Sequence, residues 1–76
     1  MNKLEILKQY QNGLVLKWDN SIWVLKEDGD QPSLWPVAHV RRNDKNELAF
    51  IIPKGTDIDN ANAVLASLTG INDYFK

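Results

Sequence analysis

The chain has 76 residues, no cysteine, one histidine, and a formal net charge of −1 from nine basic and ten acidic residues. This length predicts one small domain, residues 1–76, which buries only roughly 60% of the surface that the unfolded chain exposes. The composition excludes disulfides, argues against a zinc site, and provides no overall basic field for nucleic acid. Charges at Lys3, Glu5 and Lys8 interrupt any apolar leader, and no apolar run approaches the length of a membrane span, so we expect a cytoplasmic protein.

Residues 3–11 fit two different elements. Leu4, Leu7 and Tyr10 recur every three residues within a run of good helix formers, which favours an N-terminal helix. The alternative is a β-strand that turns through Asn12-Gly13, the dipeptide most typical of a tight hairpin. The helix is the preferred interpretation, and the strand stays open beside it.

Residues 14–25 predict a β-hairpin, because eight of these twelve residues are apolar and Asp19-Asn20 favours a tight turn. A two-residue loop makes one face almost wholly apolar. The pairs expected on that face are Trp18 with Ser21, Leu16 with Trp23, and Leu14 with Leu25. The other face is mixed, which suits a sheet partly covered by a helix; it carries Val15, Lys17, Ile22, Val24 and Lys26.

A second hairpin is expected after a loop at residues 28–33. Residues 34–42 predict the third strand, in which Pro36 indicates either a sheet edge or a bulge. Residues 43–46 form the reversal, and residues 47–52 predict the fourth strand. A four-residue loop would place Arg42 opposite Glu47 and His39 opposite Phe50, whereas a two-residue loop would shift every pair.

The last element is a helix over about residues 57–69. Thr56 and Asp59 have the spacing of a capping box, and Gly70 can end the helix. Its apolar stripe comprises Ile58, Ala61, Leu65 and Leu68, with Val64 beside it. The fold class is therefore α+β: a four-stranded antiparallel β-meander with a C-terminal α-helix packed on one face, plus an N-terminal helix or, alternatively, a fifth strand.

Neither catalysis nor metal binding has a recognisable motif. His39 lies between apolar residues in a predicted strand, with no nucleophile or carboxylate at a familiar spacing. The pairs Asp28/Asp30 and Asp57/Asp59 lack the glycine and glutamate that complete a calcium loop. We therefore expect a protein that is not an enzyme and that has no cofactor and no metal.

Two functions remain as hypotheses. The first is a small binding or regulatory module that contacts a protein partner, or a second copy of itself, through exposed aromatic residues. Its candidate residues are Trp18, Trp23, Trp35, Tyr74 and Phe75. The alternative is single-stranded nucleic-acid binding, with bases stacked on the tryptophans and phosphates held by basic side chains. The basic candidates are Lys17, Lys26, Arg41, Arg42 and Lys45.

Overall fold

The computed structural model describes residues 4–11 and 13–75, in which five antiparallel strands form one sheet in the order of the chain. The strands are β1 (Glu5–Tyr10), β2 (Gly13–Trp18), β3 (Ser21–Asp28), β4 (Gln31–Arg42) and β5 (Leu48–Ile51). A helix, α1 (Ile58–Ser67), and a short 3₁₀ helix (Ile71–Tyr74) follow the sheet. This confirms the α+β class and the meander. No helix in the described part of the chain is long and apolar enough to cross a membrane.

The N-terminal segment is the strand β1, so the preferred helix is wrong and the fifth-strand alternative is correct. A β-bulge between Ile6 and Lys8 explains the misleading spacing. Ile6 points away from the core, whereas Leu7 and Tyr10 both pack against it. The extra residue at the bulge breaks the two-residue alternation and places Leu7 and Tyr10, three positions apart, on the same inner side, whereas Leu4 lies on the opposite face. Asn12 of the predicted turn lies outside the described residues.

The central hairpin has the predicted register. The structure pairs Trp18 with Ser21, Leu16 with Trp23, and Leu14 with Leu25. On the other face Val15 pairs with Val24, and both side chains are fully buried. The helix therefore covers the mixed face, and the almost wholly apolar face lies on the opposite side of the sheet.

A second β-bulge shapes the long strand β4. The register shifts opposite Ile22 and Trp23, where Val37 is the extra residue. Pro36, which cannot donate to the ladder, immediately precedes it. The bulge expected at Pro36 is thus confirmed. Within the described residues, β5 pairs with residues 39–42 of β4 and not with Pro36, so the sheet-edge alternative also holds at Pro36.

The β4–β5 register differs by one residue from the predicted one. Arg42 pairs with Leu48, and His39 pairs with Ile51. The loop is wider than expected because the Asn43 side chain accepts hydrogen bonds from two backbone amides, Lys45 N at 2.9 Å and Glu47 N at 3.0 Å. Asn43 N also donates to Glu47 O at 2.9 Å, which closes the loop one residue later.

Helix α1 is shorter than predicted and has a different cap. Asp57 is the N-cap, and its carboxylate accepts from the amides of Asp59 and Asn60. The Thr56 hydroxyl instead donates to a β4 carbonyl, Pro36 O, at 3.4 Å. Of the predicted stripe, Ala61 is buried, Leu65 and Leu68 are partly buried, and Ile58 is 61% exposed. Val64, predicted to lie beside the stripe, is fully buried.

The segment after α1 folds back and completes the core. Phe75 is only 7% exposed and packs among the aliphatic side chains of the covered face. Lys17 Nζ lies 5.1 Å from the centroid of its ring, and Arg42 Nε donates to its backbone oxygen at 3.1 Å. The buried core residues are Val15, Ile22, Val24, Val37, Ala38, Val40, Ala61, Val64 and Phe75.

Candidate functional site

The sheet face opposite α1 carries a continuous apolar surface, which we call the open face. It contains a shallow depression of about 410 Å³. The side chains that line the depression are Leu4, Leu16, Trp18, Trp23, Leu25 and Leu34.

Strand pairing explains why these side chains meet. Leu16 and Trp23 face each other across the β2–β3 ladder, and Leu25 faces Leu34 across the β3–β4 ladder. Successive side chains of a strand alternate between the two faces, so Trp18 lies on the same side as Leu16. Short loops fix this register and so bring these apolar side chains together on the open face.

The open face has a buried floor and an exposed rim of large side chains. Leu16 is buried, whereas Leu4, Ile6, Trp18 and Leu34 are between 45% and 59% exposed. Together these four present on the order of 400 Å² of apolar surface, a size that on a monomer often marks an interaction site. Water against this surface is unfavourable, and a partner that displaced it would gain free energy.

Polar side chains flank the open face at its two ends. At one end the Ser21 hydroxyl lies 3.3 Å from His39 Nδ1, and Arg41 follows on the same face of β4. At the other end Glu27 pairs with Pro32. Within the described residues, no carboxylate hydrogen-bonds to His39, and no group of three or more His, Asp or Glu side chains could hold a metal ion.

The five predicted aromatic residues do not form one site. Trp18 and Trp23 lie on the open face, where Trp23 is partly buried. Trp35 pairs with a core residue of β3 and packs on the covered side. Tyr74 lies on the covered side with a partly exposed ring, and Phe75 belongs to the core. The open face therefore retains two of the five aromatics.

Leucines that sequence reasoning overlooked supply most of the remaining surface. Leu4, Leu25 and Leu34 line the depression but were not singled out as binding residues. Leu25 alternates with Trp23 on the predicted apolar face of the hairpin, and that pattern could have revealed it, whereas Leu4 and Leu34 lie outside the hairpin.

The predicted basic residues point in different directions. Lys17 and Arg42 are engaged with Phe75 on the covered side, and Lys26 Nζ lies 3.4 Å from Gln11 Oε1 on the same side. Lys45 lies in the β4–β5 loop. Of the five, only Arg41 shares a face with the exposed tryptophan.

In comparisons with known proteins, no family model, no curated protein and no solved structure matches this chain.

Proposed function

We propose that the protein is a small, non-enzymatic binding module that acts by contact between its open face and another protein surface. The observation that carries this proposal is the exposed apolar surface around a buried floor. A chain of 76 residues gains little from leaving such side chains in water, so their placement is better explained by a partner that covers them. The absence of cysteine fits a reducing compartment, and we propose that the module acts in the cytoplasm.

A protein partner suits the open face better than a small ligand does. Small-molecule sites enclose most of their ligand and place a few polar groups toward it. The depression is shallow, and the six side chains that line it are all hydrocarbon apart from the two indole N–H groups. Such a surface favours another broad apolar surface, as in the core of a protein interface.

Single-stranded nucleic acid has weaker support as a ligand. Binding of this type combines stacking aromatics with cations that follow the phosphate backbone. Trp18 and Arg41 share the open face, but Lys17 and Arg42 lie on the other side of the sheet against Phe75. A titration with a single-stranded oligonucleotide, followed by tryptophan fluorescence at low and high salt, tests this alternative directly.

The proposed function is tested by position-specific photocrosslinking in cells that express the chain naturally. A photoreactive amino acid replaces Leu34 on the open face, and the control carries it at Ile58, which is exposed on α1. We expect discrete protein adducts at position 34 that are absent at position 58. The adducts should disappear when Trp18→Glu is added, because a charge would then face the partner.

Equal adducts at the two positions, or none at position 34, would refute the proposal. Trp18 is partly exposed, so Trp18→Glu should fold normally. A far-ultraviolet circular dichroism spectrum that matches the unsubstituted chain provides that control.

A further inference from the structure

We infer that the occupant of the open face is an amphipathic α-helix of the partner protein, laid in the depression above Leu16 and Trp23. The inference rests on the proposed function, because it names the kind of segment that the same surface binds. Three observations carry it: the shape of the depression, its area, and the hydrogen bonding of the sheet around it.

The depression has a low floor between two exposed rims. Leu16 on the floor is buried, whereas Trp18 on one rim and Leu34 on the other are exposed. Trp18 pairs with Ser21 and Leu34 pairs with Leu25, so the two rims lie two strands and four residues apart. At about 4.8 Å per strand and 3.3 Å per residue, this separation is roughly 16 Å. A helix is about 10–12 Å wide with its side chains, so it fits between the rims and reaches the floor.

The apolar area suits one helix better than a whole folded domain. The exposed side chains of the open face present on the order of 400 Å². A standard interface between two folded proteins buries about 800 Å² per partner, roughly twice as much. One side of a helix of about 14 residues measures roughly 21 Å by 10–12 Å, a few hundred Å². A single helix therefore has the footprint that the depression offers.

An extended segment laid on the open face would lack hydrogen-bond partners. The backbone N–H and C=O groups of β2 and β3 are engaged in the strand ladders, and the six side chains that line the depression offer two indole N–H groups. Backbone groups of an extended segment would be buried there without partners, which is unfavourable. A helix pairs these groups within itself, so it can bury an apolar stripe against leucine and indole.

The edges of the sheet also disfavour a partner that adds a strand. The outer strand β1 has a β-bulge between Ile6 and Lys8. The part of β4 that precedes residues 39–42, the residues paired with β5, contains Pro32 and Pro36, which have no N–H to donate. Bulges, lysine and proline keep sheet edges from pairing with further strands. The partner segment is therefore expected on the face of the sheet and not at an edge.

The first test compares two synthetic peptides of about 16 residues that have the same content of leucine, lysine and glutamate. One has its leucines at helical spacing, and the other has them at every second position. Each peptide is titrated into the nitrogen-15-labelled full-length chain, and NMR follows the three indole N–H signals. The helical pattern should bind at least about tenfold more tightly. It should shift the signals of Trp18 and Trp23 but not that of Trp35, which packs on the covered side.

Substitutions on the rims test the site itself. Leu34→Glu should weaken binding of the helical peptide at least about tenfold, because a carboxylate would face its apolar stripe, and Trp18→Glu on the opposite rim should do the same. Ile58→Glu, on exposed α1, is the matched control and should leave the dissociation constant unchanged. The inference is overturned if the peptide with alternating leucines binds as tightly, if neither peptide binds at about 1 mM, or if the Trp35 signal shifts as much as that of Trp18.

The second test identifies the segment that the natural partner contributes. Proteolysis and mass spectrometry of the adducts at position 34 give the crosslinked sequence, which should have apolar residues at helical spacing. Adducts to a segment with alternating apolar residues, or to a proline-rich segment, would refute the helix and keep the proposed function. A chain that forms no adducts at position 34 would refute the proposed function, and the inference with it.

Discussion

Replacing Phe75 by alanine tests whether the segment after α1 is part of the folded core. The ring is 7% exposed and packs among side chains of the sheet and of α1. Lys17 Nζ lies 5.1 Å from the ring centroid, so the variant also loses a cation–π contact. Phe50→Ala is the matched control, because Phe50 has the same side chain but is 38% exposed on β5.

The expected loss follows from the burial of the ring. Truncating a buried phenylalanine to alanine lowers the free energy of unfolding by about 3–5 kcal/mol, and the cation–π contact contributes about 0.5–1 kcal/mol at such a site. We expect a loss of about 3 kcal/mol, at the lower end of this range. The segment after α1 can detach from the sheet in the variant, which limits the loss in the free energy of unfolding. For Phe50→Ala we expect about 1 kcal/mol. The free energy of unfolding of a domain of this length is about 4–11 kcal/mol. The Phe75→Ala variant should therefore remain folded but with reduced stability.

Urea unfolding followed by tryptophan fluorescence measures both variants. All samples share one protein concentration, because self-association would make stability depend on concentration. With a slope of about 1–1.5 kcal/mol per molar urea, Phe75→Ala should lower the midpoint by about 2–3 M. Midpoints that agree within about 0.5 M for the two variants would show that Phe75 does not belong to the core.

Three further predictions concern single contacts. Arg42→Ala should lower the free energy of unfolding by about 1–2 kcal/mol, because its guanidinium donates to two backbone carbonyls. The control Arg41→Ala, at an exposed position, should change the free energy of unfolding by less than about 0.5 kcal/mol in the same urea assay. Asp57→Ala removes the N-cap acceptor of α1 and should cost about 1 kcal/mol, measured by thermal melting of the helical circular dichroism. Gly13→Ala should lower the free energy of unfolding by at least about 2 kcal/mol, because the added Cβ would collide with the backbone oxygen of Leu25. Calorimetry that shows an unchanged stability would contradict the β2–β3 register.

The sequence predicts the central hairpin down to its register, and its mixed face suits the helix that covers it, but alternation alone does not choose between the two faces. A two-residue loop leaves one way to pair residues 13–18 with residues 21–26, and the structure adopts it. The choice of face depends on tertiary packing. Val15, Ile22 and Val24 alternate with larger leucines and tryptophans, so both faces satisfy the alternation rule. Only the packing of α1 and Phe75 distinguishes them.

Two side-chain effects and one bulge explain the other differences. Asn43 accepts from two amides and widens the β4–β5 loop, and Asp57 rather than Thr56 caps α1. The bulge after Ile6 places Leu7 and Tyr10 on the same side, which imitates helical spacing. The part of the candidate site on β2 and β3 was predictable from the alternation of the hairpin, but Leu4 and Leu34 join it only when the strand ladders are assembled.

The order of the strands has a consequence for the route by which the chain folds. Each strand pairs with its neighbour in sequence, so the sheet can grow by closing short loops, which favours fast folding. The contacts from Lys8 to Ser67 and from Arg42 to Phe75 join residues 59 and 33 positions apart. Because they join residues far apart in sequence, we expect these contacts to form after the transition state. Substitutions at Phe75 should therefore accelerate unfolding while leaving the refolding rate nearly unchanged, so this contact sets the lifetime of the native state.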